Sequence, residues 1–271
     1  MQAKKILFIT QEMSPFVPAS LKADFGKKLP QAIQECGHEI RTFTPKWGII
    51  NERRNQLHEV IRLSGMNIII DETDHPLIIK VASLPQARMQ IYFIDNDDYF
   101  MKRNMALDSN EKPYSDNGER AVFYARGVLE TVKKLRWIPD VIHCMGWISA
   151  ITPLYIKKAF DDEPAYSKCK VVYSVSSPDF QMDFGEHILD CIKFKNIGYE
   201  DLKDIFNNKF GYEELQKLAV FYSDAVIFDD NGVGDNVVNY VKQLNKPLLN
   251  AQDKDSFKTA YSDFYESIVN A

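Results

Sequence analysis

The chain has 271 residues, 45% of them hydrophobic and 26% charged, enough to bury a sizeable core and too apolar for general disorder. A net charge of -5, with no Lys/Arg cluster beyond a local pair or triplet, gives no electrostatic footprint for nucleic acid. No apolar run approaches the length of a membrane span, and the opening Met1–Ile9 is too short for a signal peptide, so neither nucleic acid nor a membrane is expected as a partner. Cys36, Cys144, Cys169 and Cys191 lack C-x-x-C spacing and sit on apolar segments. They read as reduced thiols of a cytoplasmic protein, with no disulfide or metal role.

In chain order, Lys5–Thr10 is the first expected strand, followed by a helix with Phe25, Leu29, Ile33 and Cys36 on one face and Gly37 as its C-cap. Pro30 falls inside that helix and is expected to kink it or to mark its real start. Glu39–Thr44 is the second strand, ending at Pro45. Asn67–Ile70, Leu77–Val81 and Met89–Ile94 then alternate like hairpins between polar turns, which suggests an antiparallel excursion or a sheet edge. Asp116–Glu119 resembles a capping box, and the helix behind it carries Val122, Ala125, Val128, Leu129, Val132 and Leu135 on one face.

The segment Pro139–Ser149, PDVIHCMGWIS, reads as a buried strand delivering a short turn into a helix that runs to Phe160. Lys170–Val175 is another strand, then comes an irregular polar stretch, a helix around Glu213–Tyr222 and a strand at Ala225–Phe228. A last helix, strand and helix occupy Val237–Leu244, Pro247–Leu249 and Ser256–Val269. The last of these should place Phe257, Tyr261, Phe264 and Ile268 close to one helical face. With no repeat and no flexible linker, the pattern predicts a single Rossmann-like α/β layer sandwich with a mostly parallel sheet, spanning residues 1–271 and closed by the strand and helix of 245–271.

Several of these segments resemble the starch and glycogen synthases in the right order. KILFITQEMSPF at residues 5–16 is similar to their KILFVTSEVAPF, LPQAIQECGHEI at 29–40 to LPKALAERGHEV, and residues 139–149 to PDVIHCHDWHT. Tyr92–Asn96, Asp116–Arg120 and Tyr222–Val226 match further family segments. The resemblance covers about residues 4–230 and implies the amino-terminal Rossmann domain of a B-type glycosyltransferase. In that family this domain binds the growing α-1,4-glucan, a second domain binds ADP-glucose or UDP-glucose, and glucose passes from the nucleotide sugar to the glucan.

The chain departs from the family at its reacting groups. The family's Lys-x-Gly-Gly-Leu loop for the donor phosphates falls on Pro18–Lys22, where Pro18, Ser20 and Leu21 supply neither the charge nor the close backbone approach. Met145 replaces the histidine that contacts the transferred glucose, and a thioether can neither donate that hydrogen bond nor carry a proton. No catalytic residue is therefore assigned, and no motif asks for a cofactor or a metal.

Five residues stay as substrate-binding candidates by resemblance, each beside a plainer role. Asp24 matches a family carboxylate near the sugar, or is an exposed acid at a helix start. Asn117 and Arg120 lie in a matching segment that the capping box also explains. Trp147 could stack on a sugar ring or sit in the core, and Ser176 could bond a sugar or simply shape a turn. His143 reads as a core histidine. The expectation is a glycogen/starch synthase-like protein of α-glucan biosynthesis that is not competent alone and works with a second synthase polypeptide supplying the donor domain. The alternatives are a non-enzymatic partner of a full-length synthase that binds α-glucan or malto-oligosaccharide or regulates the enzyme, and a different small-molecule Rossmann binder.

Overall fold

Every β-branched or aromatic run singled out in the sequence is a strand in the computed structural model, which describes residues 3–253 and 256–270. The strands are β1 (Lys5–Thr10), β2 (Glu39–Pro45), β3 (His58–Glu59), β4 (Met66–Ile70), β5 (Thr73–Leu84), β6 (Met89–Asp95), β7 (Val141–Met145), β8 (Lys170–Val175), β9 (Ala225–Phe228) and β10 (Leu248–Leu249). The helices are α1 (Leu21–Glu35), α2 (Asp97–Phe100), α3 (Asn117–Lys134), α4 (Thr152–Leu154), α5 (Ile188–Ile192), α6 (Lys203–Phe206), α7 (Tyr212–Tyr222), α8 (Asp235–Gln243) and α9 (Phe257–Asn270). None of them is long and apolar enough to cross a membrane.

The strands form one sheet in the order β10-β9-β8-β7-β1-β2-β6-β5-β3, with β4 on β5. From β10 to β6 all neighbours are parallel. The excursion expected between Asn67 and Ile94 is antiparallel, with β5 pairing β3, β4 and β6. The chain moves outward from β1 through β2 to β6, then returns to begin the other half at β7, so its direction of travel reverses between β1 and β7. In open α/β sheets a crevice forms at the carboxyl ends of the strands at that point.

Alternation along β1 divides the core between the two faces of the sheet. Leu7 and Ile9 join the larger cluster, with Val122, Leu129 and Val132 of α3 and Leu218 of α7. Ile6 and Phe8 join the smaller one, with Leu29 and Ile33 of α1 and Tyr261, Tyr265 and Ile268 of α9. Tyr265, absent from the expected apolar face of that last helix, is fully buried, whereas Phe257 and Phe264 are half-buried. The spacing 261, 265, 268 keeps one helical face against the sheet.

Two local expectations change. Pro30 neither starts nor ends α1: the helix begins at Leu21, where the Ser20 hydroxyl accepts the Ala23 N–H at 2.8 Å, and Gly37 at φ +94° follows its end. The capping box at Asp116–Glu119 does not form. Asp116 takes both Arg103 Nη groups at 2.6 Å instead of a helix N–H, because the guanidinium offers its carboxylate two parallel charge-assisted bonds where a cap offers one donor without a full charge. Glu119 accepts from the Tyr99 hydroxyl at 2.9 Å.

Candidate functional site

β1 ends at Thr10 and β7 at Met145, so Gln11 and Gly146 meet where the sheet reverses direction. Gly146 has φ +85°, and a Cβ there would lie 2.4 Å from Gln11 Oε1. Its absence lets the Trp147 N–H donate to that oxygen at 3.1 Å. On the other side α1 presses against the loop after β1, where a Cβ on Gly26 would lie 2.2 Å from the Glu12 carbonyl oxygen. Between these walls is a cavity of about 280 Å³, lined among others by Gln11, Glu12, Lys22, Ser177, Asp229 and Asp230, with Phe25 and Met145 as apolar surface.

The polar walls are tied to one another. Gln11 Nε2 donates to Glu12 Oε1 at 3.2 Å and to Asp179 Oδ2 at 3.0 Å, and the Ser20 hydroxyl donates to Glu12 Oε2 at 2.8 Å. Lys22 pairs with Asp179 and donates to the Ser177 carbonyl at 3.1 Å. Burial raises the Glu12 carboxyl above its ordinary range, against the opposing pull of the Ser20 hydrogen bond.

The two adjacent aspartates have different surroundings. Burial disfavours charge on Asp230, but the Ser177 hydroxyl (2.6 Å), the Ser177 amide (2.9 Å) and the Gly232 amide (2.8 Å) hold its carboxyl below the usual range. Asp229 is pushed up to about 7, chiefly by burial and further by the charge of Asp230, while bonds from Ser174 and Tyr261 offset part of that. Neighbouring carboxyls held at different pKa values divide into a permanent anion and a group that titrates near neutrality.

Behind Asp229 the bonds continue into the sheet. The Ser174 hydroxyl donates to Asp229 at 2.8 Å and lies 2.7 Å from His143 Nε2, and the Tyr265 hydroxyl lies 2.7 Å from His143 Nδ1. Burial pushes His143 down to about 3, which keeps the imidazole neutral and fits its reading as a core residue. Tyr261 also reaches Asp229, at 3.2 Å. Helix α9 therefore supplies two of the groups behind the crevice.

Of the five residues proposed from the sequence, Ser176 alone lines this cavity. Asp24 stands in the first turn of α1, outside the cavity, and pairs with Lys28 at 3.3 Å. Trp147 is 1% exposed, its ring edge-on to Phe180 and tilted on Trp47, bordering a second hollow beyond Gln11 and Glu12. Its ring offers no open face to a sugar.

Asn117 and Arg120 are fully buried and brace the loop at 104–106. Asn117 donates to the Ala106 carbonyl at 2.9 Å, and Arg120 to the Met105 and Asn104 carbonyls at 2.5 and 3.1 Å. Burial, and then the nearby Arg103, lower Arg120 to about 9. The residues that sequence reasoning passed over, Gln11, Glu12, Asp229 and Asp230, share one signal: they directly follow the carboxyl ends of β1 and β9. The crevice residues form no group with metal-ligand spacing among the described residues, whereas Glu119, His187 and Cys191 do.

A family model for the starch synthase catalytic domain matches residues 5–240. The glycogen synthases of Chlorobium limicola and Chlorobaculum tepidum are each 38% identical over 172 residues, 63% of this chain and 35% of theirs. The chain thus spans about a third of the length of the curated relatives it matches. The catalytic domain of starch synthase IV from Arabidopsis thaliana, bound to ADP and acarbose, superimposes with a TM-score of 0.73 at 15% identity. That match covers 94% of this chain and 53% of the plant one, and it shows the same fold.

Proposed function

The chain belongs to the family of the starch synthase catalytic domain, and from that membership we propose that it is a glycogen/starch synthase-like protein whose crevice recognises glucosyl units of an α-glucan rather than the diphosphate of a nucleotide sugar. The observation that carries this reading is the charge of the cavity. Glu12, Asp229 and Asp230 line it, while its one lining cation, Lys22, is already paired with Asp179. A diphosphate there meets carboxylates and no free positive charge, whereas neutral sugar hydroxyls find acceptors in Glu12, Asp230 and Gln11 and an apolar floor in Phe25 and Met145.

Glucosyl transfer is the family's activity, and on this reading residues 1–271 contribute the acceptor side of it. Oriented binding of both substrates is worth about 7 to 11 kcal/mol of the barrier in favourable cases, so a donor-binding surface must be supplied before transfer is fast. A second reading, a glucan-binding or regulatory partner of a complete synthase, is favoured by Met145, which brings a thioether to the cavity wall where transfer needs a hydrogen-bonding group.

Titrating the protein with maltoheptaose and, separately, with ADP while following amide shifts tests the proposal. Maltoheptaose is expected to move residues around Gln11, Ser177 and Gly232, and ADP to leave them in place. Tighter binding of ADP than of maltoheptaose at those residues would overturn it. Incorporation of radiolabelled glucose from ADP-glucose into glycogen separates the two readings: transfer that appears when a donor-binding domain is added supports the acceptor-side role, and continued absence supports the regulatory one.

A further inference from the structure

We infer that Glu119, His187 and Cys191, with Asp71 beside them, form a binding site for a divalent transition-metal ion of the zinc type. One ligand atom from each of the first three lies within 4.8 Å of the other two. Tetrahedral zinc with bonds of about 2.0 to 2.3 Å sets its donors about 3.3 to 3.8 Å apart, so the three close in by up to about 1 Å, a movement within reach of side-chain rotation. Asp71 Oδ2 lies outside that group of three but stands 3.7 Å from His187 Nε2, close enough to turn in as a fourth donor. A thiolate, an imidazole and two carboxylates together suit zinc or cobalt better than magnesium or calcium, which prefer oxygen throughout.

The positions of these residues in the chain support the same conclusion. His187 and Cys191 are four residues apart at the start of α5, so they share one side of that turn. Glu119 comes from the first turn of α3, and Asp71 from the turn between β4 and β5, where Asp71 and Glu72 have φ of +42° and +66°. Glu119 is also held from behind: its Oε2 accepts from the Tyr99 hydroxyl at 2.9 Å, that hydroxyl lies 2.9 Å from His75 Nε2, and His75 Nδ1 faces Asp98 at 3.4 Å. Carboxylate ligands in metal sites are commonly oriented by such outer hydrogen bonds. Cys191 is 2% exposed while His187 is open to solvent, so the site has a buried floor and an entrance.

The bound ion would tie three separate pieces of chain together. Between Ser176 and Gly211 the chain has only the short helices α5 and α6 and one 3-10 turn, with left-handed residues at Lys195, Asn207 and Asn208. This same stretch carries Ser177 and Asp179 of the crevice. A metal joining it to α3 and to the β4–β5 turn would staple an irregular segment that has little regular hydrogen bonding of its own. On binding, the Cys191 thiol proton passes to solvent and the thiolate takes its place on the ion.

Cobalt(II) titration of the full chain after EDTA treatment provides the test. The expected result is one equivalent of cobalt bound with a thiolate-to-cobalt charge-transfer band, displaced by zinc, and a higher melting temperature with either ion. Cys191→Ser should abolish the band. His187→Ala, at an exposed position that leaves folding unaffected, should weaken zinc binding on the order of ten-fold or more. The inference is overturned if saturating cobalt gives no charge-transfer band, if the band survives in Cys191→Ser and disappears in Cys36→Ser, or if His187→Ala binds zinc as tightly as the parent.

Discussion

The two sides of Asp229 lie in opposite surroundings. Toward the crevice, Lys22 pairs with Asp179, while the carboxylates of Glu12 and Asp230 are held by neutral donors from Gln11, Ser20 and Ser177. Toward α9, Ser174, His143, Tyr261 and Tyr265 are neutral groups that satisfy one another within an apolar cluster containing Phe8, Val141 and Val172. A paired charge near the surface adds little to stability, whereas a hydroxyl or imidazole in the core is costly to leave without its partner. The α9 side is accordingly where stability resides, and the crevice side is where the charged groups are gathered.

The largest test of that contrast removes α9. Ending the chain after Leu244 discards the buried Tyr261, Tyr265 and Ile268 and the short pairing of β10 with β9. At about 1.5 to 3 kcal/mol for each large side chain, the loss is comparable to the roughly 5 to 15 kcal/mol that stabilises a typical domain. No cooperative melting transition is expected by calorimetry. A truncated protein that melts at the parent's temperature would break the comparison.

Single substitutions at Tyr265 sharpen it. Tyr265→Ala should cost about 3 to 5 kcal/mol in denaturant unfolding, as other large aromatic truncations do. Tyr265→Phe keeps the ring but takes the hydroxyl from His143 Nδ1, and should cost about 1 to 3 kcal/mol. Equal stability of the Phe variant and the parent would mean that the hydroxyl is not needed by the imidazole.

The pH dependence of stability should show Asp229 and His143 acting against each other. Asp229, raised from 3.8 to about 7, binds its proton more tightly when folded, so its contribution is complete below the ordinary carboxylate range and is lost as pH rises through 7. His143, lowered from 6.5 to about 3, contributes fully above 6.5 and loses that contribution as pH falls toward 3. Asp229→Asn removes only the first effect. The melting temperature of the variant relative to the parent should therefore rise between pH 5 and pH 8, and a difference that stays constant across that interval would reject the assignment.

The smallest effect on stability belongs to Lys22. Its side chain and that of Asp179 are 32% and 23% exposed, so Lys22→Ala should change unfolding stability by less than about 1 kcal/mol. The same variant removes the lone lining cation, and so should weaken any residual attraction for anions while leaving maltoheptaose bound. A loss of several kcal/mol by denaturant unfolding would show that the crevice, too, carries the fold.

Much of this molecule was legible in its sequence because the relevant signals are local. Runs such as KILFIT at 5–10 and KVVYSV at 170–175 have the branched and aromatic side chains that favour strands, and each becomes a strand with those bounds. Their order along the chain, with helical patterns between them, was enough for the layered α/β fold. The imidazole of His143, inside an apolar run, lies in the core as its neighbours implied.

The site was decided by tertiary structure. Matching motifs pointed to Asp24, Asn117, Arg120 and Trp147, and the fold placed Asp24 on the outer side of α1, Asn117 and Arg120 under a loop, and Trp147 edge-on to Phe180. Asp229 and Asp230 carried no motif, and Glu12, inside the matching segment 5–16, was not singled out by it; the three share a wall because β1, β7, β8 and β9 align their carboxyl ends in a parallel register. The capping pattern at Asp116 gave way for the same reason, since Arg103 reaches it only through the folded loop between α2 and α3. A local pattern can specify the conformation of its own segment, but which side chains converge across strands depends on pairing between residues far apart in the chain, and that is set by burial of the whole sheet.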